Sequence, residues 1–207
     1  MRSCEYSKVP SGDKRKTNVL RIRDIRFFDK NTLIPHDSPN LSLADKVSIT
    51  FCFQKNDSIN ETVTLPASGD IEMCPVKMWA KSIKRILAYE GTDENSTVNT
   101  FFEKGKLTQI TNKQIEKELK KAADKIGHLK LGFKSSEIGT HSIRSGAAMA
   151  MYLDDISPLT IKMIGRWKSD SFLNYIRKQV ERFSLNVTSR MLKNENFTHI
   201  PDPEWYN

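Results

Sequence analysis

In the stretch "GTHSIRSGAAMA", His141 and Arg144 stand three residues apart. On a helix that spacing puts both side chains on one face, where they can meet a single ligand. An imidazole beside a guanidinium suits an anionic group: arginine offers a planar fork of donors to phosphate oxygens, and histidine donates or takes a proton. Alone, an H-x-x-R is a frequent accident in a chain rich in arginine. Further along, "MIGRWKSDSFLNYIRKQ" brings Trp167 and Tyr175 into one of the most basic parts of the chain. An indole N–H only donates, whereas a tyrosine hydroxyl becomes a nucleophile once it loses its proton. A phenol with a free pKa near 10 does little at neutral pH unless cations stabilise its anion or a base takes its proton. His141, Arg144 and the basic residues around Arg177 would supply that setting; two ordinary half-buried aromatics are the alternative reading.

The bulk of the chain is compatible with a polyanionic partner. With 33 Lys+Arg against 25 Asp+Glu in 207 residues, the formal charge is +8, a surface potential that attracts nucleic acid before other partners. Scattered lysines are as often only a solvated surface. A hydrophobic content of 38% is enough for a packed core, with one compact domain as the default. Cys4, Cys52 and Cys74 form no C-x-x-C pair and leave an odd one over, so neither a zinc site nor a disulfide framework is indicated and a reduced, intracellular setting is expected. There is no apolar leader and no run of the roughly 18 apolar residues that a membrane span needs, so no membrane partner is expected. The N-x-S/T sequons at Asn60, Asn95 and Asn186 then carry no weight.

The elements that must position these residues change character along the chain. "NVLRIRDIRFFD" (18–29) reads as a strand with imperfect alternation, and "VSITFCF" (47–53) alternates cleanly, with Val47, Ile49, Phe51 and Phe53 on one face. "TVTLP" follows after a polar stretch, predicting a β-hairpin whose tip carries Lys55. Beyond Pro75 the period lengthens to three and four, with Val76, Trp79, Ile83, Ile86 and Leu87 marking an amphipathic helix and Trp79 a core residue. A second helix carries Ile115, Leu119, Ala122 and Ile126 on one stripe, Lys120, Lys121 and Lys125 on its exposed face, and Gly127 at its end. A third spans about His141 to Leu153, a fourth starts at Ser157–Pro158 and reaches Ile164, and a fifth is capped by Ser169 or Asp170 and runs to Phe183. "NVTSRMLKNENF" makes one more before a Pro-containing tail. Early strands and late helices predict an α+β fold, a mainly helical body with a small antiparallel β-sheet on one flank.

H-x-x-R followed by G-x-W and then Tyr resembles the catalytic domain of the tyrosine recombinases, the phage-integrase-like DNA strand-exchange enzymes, and "GRWKSDSFLNYIR" is similar to versions carried by eukaryotic mobile elements. The resemblance demands two residues upstream. The family's first arginine lies in R-x-x-E, and "MRSCEY" offers Arg2 and Glu5 at that spacing; its lysine sits on a β-hairpin, where Lys55 stands. Arg2, Lys55, His141, Arg144, Trp167 and Tyr175 thus follow the family's order over nearly the whole chain. Ser145 stands where many members have a second His. The interval from Trp167 to Tyr175 is eight residues where the family usually has nine. One residue on a helix is a turn of about 100°, so the path between them decides which way the phenol points.

What the resemblance implies is a tyrosine recombinase catalytic-domain-like fold over residues 1–207, N-terminally truncated, with a C-terminal helix and tail at 184–207. The implied chemistry is phosphoryl transfer with neither metal nor nucleotide cofactor, in which Tyr175 attacks a scissile phosphate to give a 3′-phosphotyrosine. Arg2 and Arg144 would hold the non-bridging oxygens, His141 would assist proton transfer, Trp167 would donate its N–H or pack the site, and Lys55 would protonate the leaving 5′ oxygen. The sequence shows no P-loop and no carboxylate cluster. Implied partners are double-stranded DNA, a homo-oligomer on that DNA and a separate core-binding domain, and the implied location is nuclear in a eukaryote, for which "DKRKTN" is a weak import signal. A catalytically inactive or domesticated DNA-binding relic is the second reading. Type IB topoisomerase chemistry ranks lower because those enzymes keep a His where this chain has Trp167.

Overall fold

The computed structural model describes residues 1–8, 18–52, 60–70, 72–167 and 169–173. They form a mixture of helices and small antiparallel sheets, in two compact units, Met1–Arg144 and Ser145–Asn207. No helix among the described residues is long and apolar enough to cross a membrane.

The first unit is built on four antiparallel strands. β1 (Ile25–Asp29), β2 (Thr32–Ile34), β3 (Lys46–Phe51) and β4 (Glu61–Pro66) lie in the order β2-β1-β3-β4. Alternation does on β3 what it predicts: Val47, Ile49 and Phe51 are buried. Outward, Ser48 and Thr50 pair their hydroxyls with Thr64 and Thr62 of β4 at 2.8 and 3.0 Å. β3 and β4 make the expected hairpin, but its tip, with Phe53 and Lys55, lies outside the described residues.

The strand expected over 18–29 is shorter than its β-branched composition suggests. Residues Ile22–Asp24 form a 3-10 turn, because the Asp24 carboxylate accepts a hydrogen bond at 2.8 Å from the backbone N–H of Arg21 and bends the chain before the ladder begins. β2 and a second, two-stranded sheet escape the sequence pattern. β5 (Thr100–Glu103) and β6 (Lys106–Gln109) are joined by Lys104 and Gly105, both at positive φ (50° and 77°), the geometry that suits a two-residue hairpin turn.

A short helix, α1 (Ser3–Tyr6), opens the chain, and α2 (Pro75–Leu87) covers the inner face of the four-stranded sheet. Pro75 occupies the first turn of α2, where its missing N–H has no helical partner to lose. Val76, Ala80, Ile83 and Ile86 are fully buried against Ile25, Phe27, Val47 and Ile49, with Trp79 packed on the margin. Burial of each large side chain contributes about 1.5–3 kcal/mol, so this face holds the unit together.

α3 (Asn112–Ile126) opens on a capping box in which the Thr111 hydroxyl accepts from the Gln114 N–H at 3.3 Å and the Gln114 amide oxygen accepts from the Thr111 N–H at 2.8 Å. It stops at Gly127, whose φ of 89° a residue with a Cβ would resist. After α4 (His128–Leu131) comes α5 (Thr140–Leu153), and the division between the units falls within it, after Arg144.

In the second unit, Ser157 caps α6 (Pro158–Gly165) by accepting from the Thr160 N–H at 3.2 Å. Ala148, Ile161 and Phe172 form its buried centre, with Met151, Ile156 and Trp167 around them. The helix expected to be capped by Ser169 or Asp170 opens with a 3-10 turn, Asp170–Phe172, and Leu173 is helical; the remainder of that prediction and the last predicted helix lie outside the described residues.

Candidate functional site

Arg2 is held by the peptide around it. Its backbone N–H donates to Glu5 Oε2 at 2.6 Å, and its carbonyl accepts from the Glu5 N–H at 2.9 Å. The three-residue spacing of R-x-x-E is therefore a helix-start device, a carboxylate reaching back to the residue that opens the turn. Glu5 itself is buried, and its carbonyl accepts from Leu20 N–H at 2.9 Å. Two residues past α1, the Lys8 N–H donates to Ile110 O at 2.8 Å. A segment next to a chain terminus is thus tied to two others. The Arg2 side chain ends in an Nη1 that is buried and has no hydrogen-bond partner among the described residues.

His141 and Arg144 lie in the first turns of α5, three residues apart on one side of the helix. His141 is exposed and Arg144 half-buried, so this side of the turn is reachable from solvent while the guanidinium is partly sheltered. Ahead of them the Gly139 N–H donates to Ser142 Oγ at 3.1 Å and the Ser142 N–H to Gly139 O at 3.0 Å, fixing how the helix begins. A Cβ at Gly139 would stand 3.9 Å from Glu116 Cδ, so the chain entering α5 runs beside α3.

Trp167 belongs to the second unit. α6 ends at Gly165, and Arg166 turns left-handed (φ 55°), with the Trp167 N–H returning to Lys162 O at 3.0 Å. The turn folds the indole back over Gly165, so that a Cβ there would overlap ring carbons Cζ3 and Cε3. The ring then rests on Phe172, centroids 5.7 Å apart and planes 36° from parallel. The G-x-W spacing has a steric origin here. Lys162 Nζ and Asp170 Oδ1, 2.8 Å apart, clamp the same turn from outside.

The structure thus places Arg2, His141 and Arg144 in the first unit and Trp167 in the second; Lys55 and Tyr175 lie outside the described residues. Tyr6, beside Arg2 in sequence, is no substitute nucleophile: burial, then the Cys4 and Glu5 side chains, push its phenol above the ordinary range. Sequence reasoning passed over Arg166, only 5% exposed although it is an arginine. No sequence signal announces it, since a non-glycine residue in a left-handed helix cap is set by the turn around it. Comparison with models of known protein families, with curated proteins and with solved structures finds no match to this chain.

Proposed function

We propose that this chain is the catalytic domain of a tyrosine recombinase, cleaving and rejoining duplex DNA through a covalent 3′-phosphotyrosine. The Tyr175 oxygen attacks the scissile phosphorus as its proton passes toward His141. The bond from phosphorus to the 5′ oxygen breaks, and Lys55 protonates that oxygen as it leaves. The reverse sequence reseals the strand, with the bond energy kept in the phosphotyrosine link. Arg2 and Arg144 neutralise the non-bridging oxygens, where charge builds up in the transition state.

The observation that carries the reading is the Arg2 guanidinium. A buried N–H without an acceptor is unfavourable by about 1–3 kcal/mol, and an arriving phosphate oxygen relieves it with a charge-assisted hydrogen bond. His141 and Arg144, on one side of a helix start, support it with the second guanidinium and the proton acceptor that such a reaction needs.

The test is a nicked duplex that traps the cleaved state. The expected result is a denaturation-resistant protein–DNA adduct that Tyr175→Phe abolishes. An adduct that survives Tyr175→Phe would overturn the assignment. Salt-sensitive duplex binding with no adduct from the unaltered chain would assign it instead to DNA binding without cleavage.

A further inference from the structure

The solvent face of α3 presents a second cationic surface, on which Lys113 and Lys117 make no ion pair among the described residues. Lys113, Lys117 and Lys121 stand at i, i+4 and i+8 and are all exposed. At 1.5 Å per residue they cover about 12 Å of helix axis. With Lys120, Glu116 and Asp124 they line a shallow groove.

The acidic groups of that groove do not neutralise the stripe. Glu116 is taken by Lys120, their nitrogen and oxygen 2.5 Å apart. Lys121 meets Glu118 at 3.7 Å with both side chains about 70% exposed, a pair of little energetic weight. Lys113 and Lys117 make no ion pair among the described residues, which leaves Asp124 as the opposing charge. Helix stability does not account for Lys113 either. It sits in the first turn, which contains no acidic residue, and a cation there opposes the helix dipole.

The groove also borders the irregular segment that leads into the proposed site. Glu116 lies against Gly139, two residues before His141. We propose that Lys113, Lys117 and Lys121 of α3 hold the phosphate backbone of duplex DNA alongside the His141–Arg144 turn. Phosphates rise about 3.4 Å per nucleotide along one strand, so a stripe of this length spans about three or four of them. The inference rests on the recombinase reading, and the experiment separates the two.

Binding of a fluorescent 30-base-pair duplex is measured against salt for the unaltered chain, for Lys113→Gln/Lys117→Gln, and for Lys104→Gln/Lys106→Gln, a control with the same charge change on the β5–β6 hairpin. The α3 variant is expected to lose about 0.9 per lysine from the salt slope and roughly five- to tenfold in affinity per lysine at 0.1 M salt. The control should lose little, and Lys113→Arg/Lys117→Arg should bind as the unaltered chain does. Far-UV circular dichroism checks that α3 still forms. Equal losses in the α3 variant and the control overturn the stripe while leaving the adduct test of Tyr175 untouched. A chain that binds no duplex at all overturns both.

Discussion

Gly165 and Trp167 compete for one volume: the indole carbons Cζ3 and Cε3 occupy the place that a Cβ on residue 165 would take. The left-handed turn at Arg166 that ends α6 makes that contact and lays the same indole on Phe172. Gly165→Ala must therefore push the indole off Phe172, with an expected destabilisation of about 1–3 kcal/mol in denaturant unfolding and a red-shifted tryptophan emission. Gly146, on α5 with open space where its Cβ would stand, is the control. Gly146→Ala should stabilise by about 0.5–1 kcal/mol, because alanine leaves less backbone freedom to lose. Equal effects at both glycines would refute the steric account.

Arg2 offers a separation of stability from activity. Its buried Nη1 is a donor without an acceptor among the described residues, so Arg2→Met should leave the thermal midpoint unchanged or raise it. The same change should lower adduct formation on DNA by a hundredfold or more, the scale of losing one transition-state donor. A marked fall in the midpoint would show that the guanidinium serves the fold instead.

Asp93 makes a stretch of the first unit acid-sensitive. The Asn95 side chain, then its backbone N–H, hold the Asp93 carboxyl below the usual carboxylate range. The turn it closes anchors Ile22 and Arg23, whose N–H groups donate to Ser96 O and Glu94 O at 3.0 and 2.9 Å. A carboxylate whose pKa is lowered by folding stabilises the protein above its unfolded value, about pH 4, and that contribution is lost as pH falls through the folded value. Asp93→Asn should therefore be less stable than the unaltered chain at pH 7, with the gap closing below pH 4. Denaturant midpoints at both pH values check it; a gap independent of pH would contradict it.

Ile83 tests where the first unit keeps its stability. It is fully buried on α2 among Phe27, Val47 and Ile49. Ile83→Ala is expected to destabilise by about 2–5 kcal/mol, a cavity effect readable from chemical denaturation. Leu129, 91% exposed on α4, should tolerate the same truncation within about 0.5 kcal/mol.

What the sequence determined by itself is the part of the fold governed by local periodicity. The alternation of Val47, Ile49 and Phe51, the three-and-four spacing from Val76 to Ile86, and the stop and cap at Gly127 and Ser157 each act within a few residues of chain. They appear where the pattern puts them. Tertiary structure alone decided the rest. His36 has no partner by spacing, yet its ring nitrogens lie 2.6 Å from Ile25 O and 3.2 Å from Glu94. The strand expected at 18–29 yields to the Asp24 turn, and β2, β5 and β6 are too short to show a period. Of the candidate site, the helical pairing of His141 with Arg144 was legible because it is a one-turn relationship, whereas the helix start that R-x-x-E makes was not among the elements the sequence predicts. The hold of Leu20 on Glu5 and of Ile110 on Lys8 was not legible, since it comes from chain distant in sequence. Nor was the seat of Trp167 on Phe172, which depends on a left-handed residue that no propensity selects.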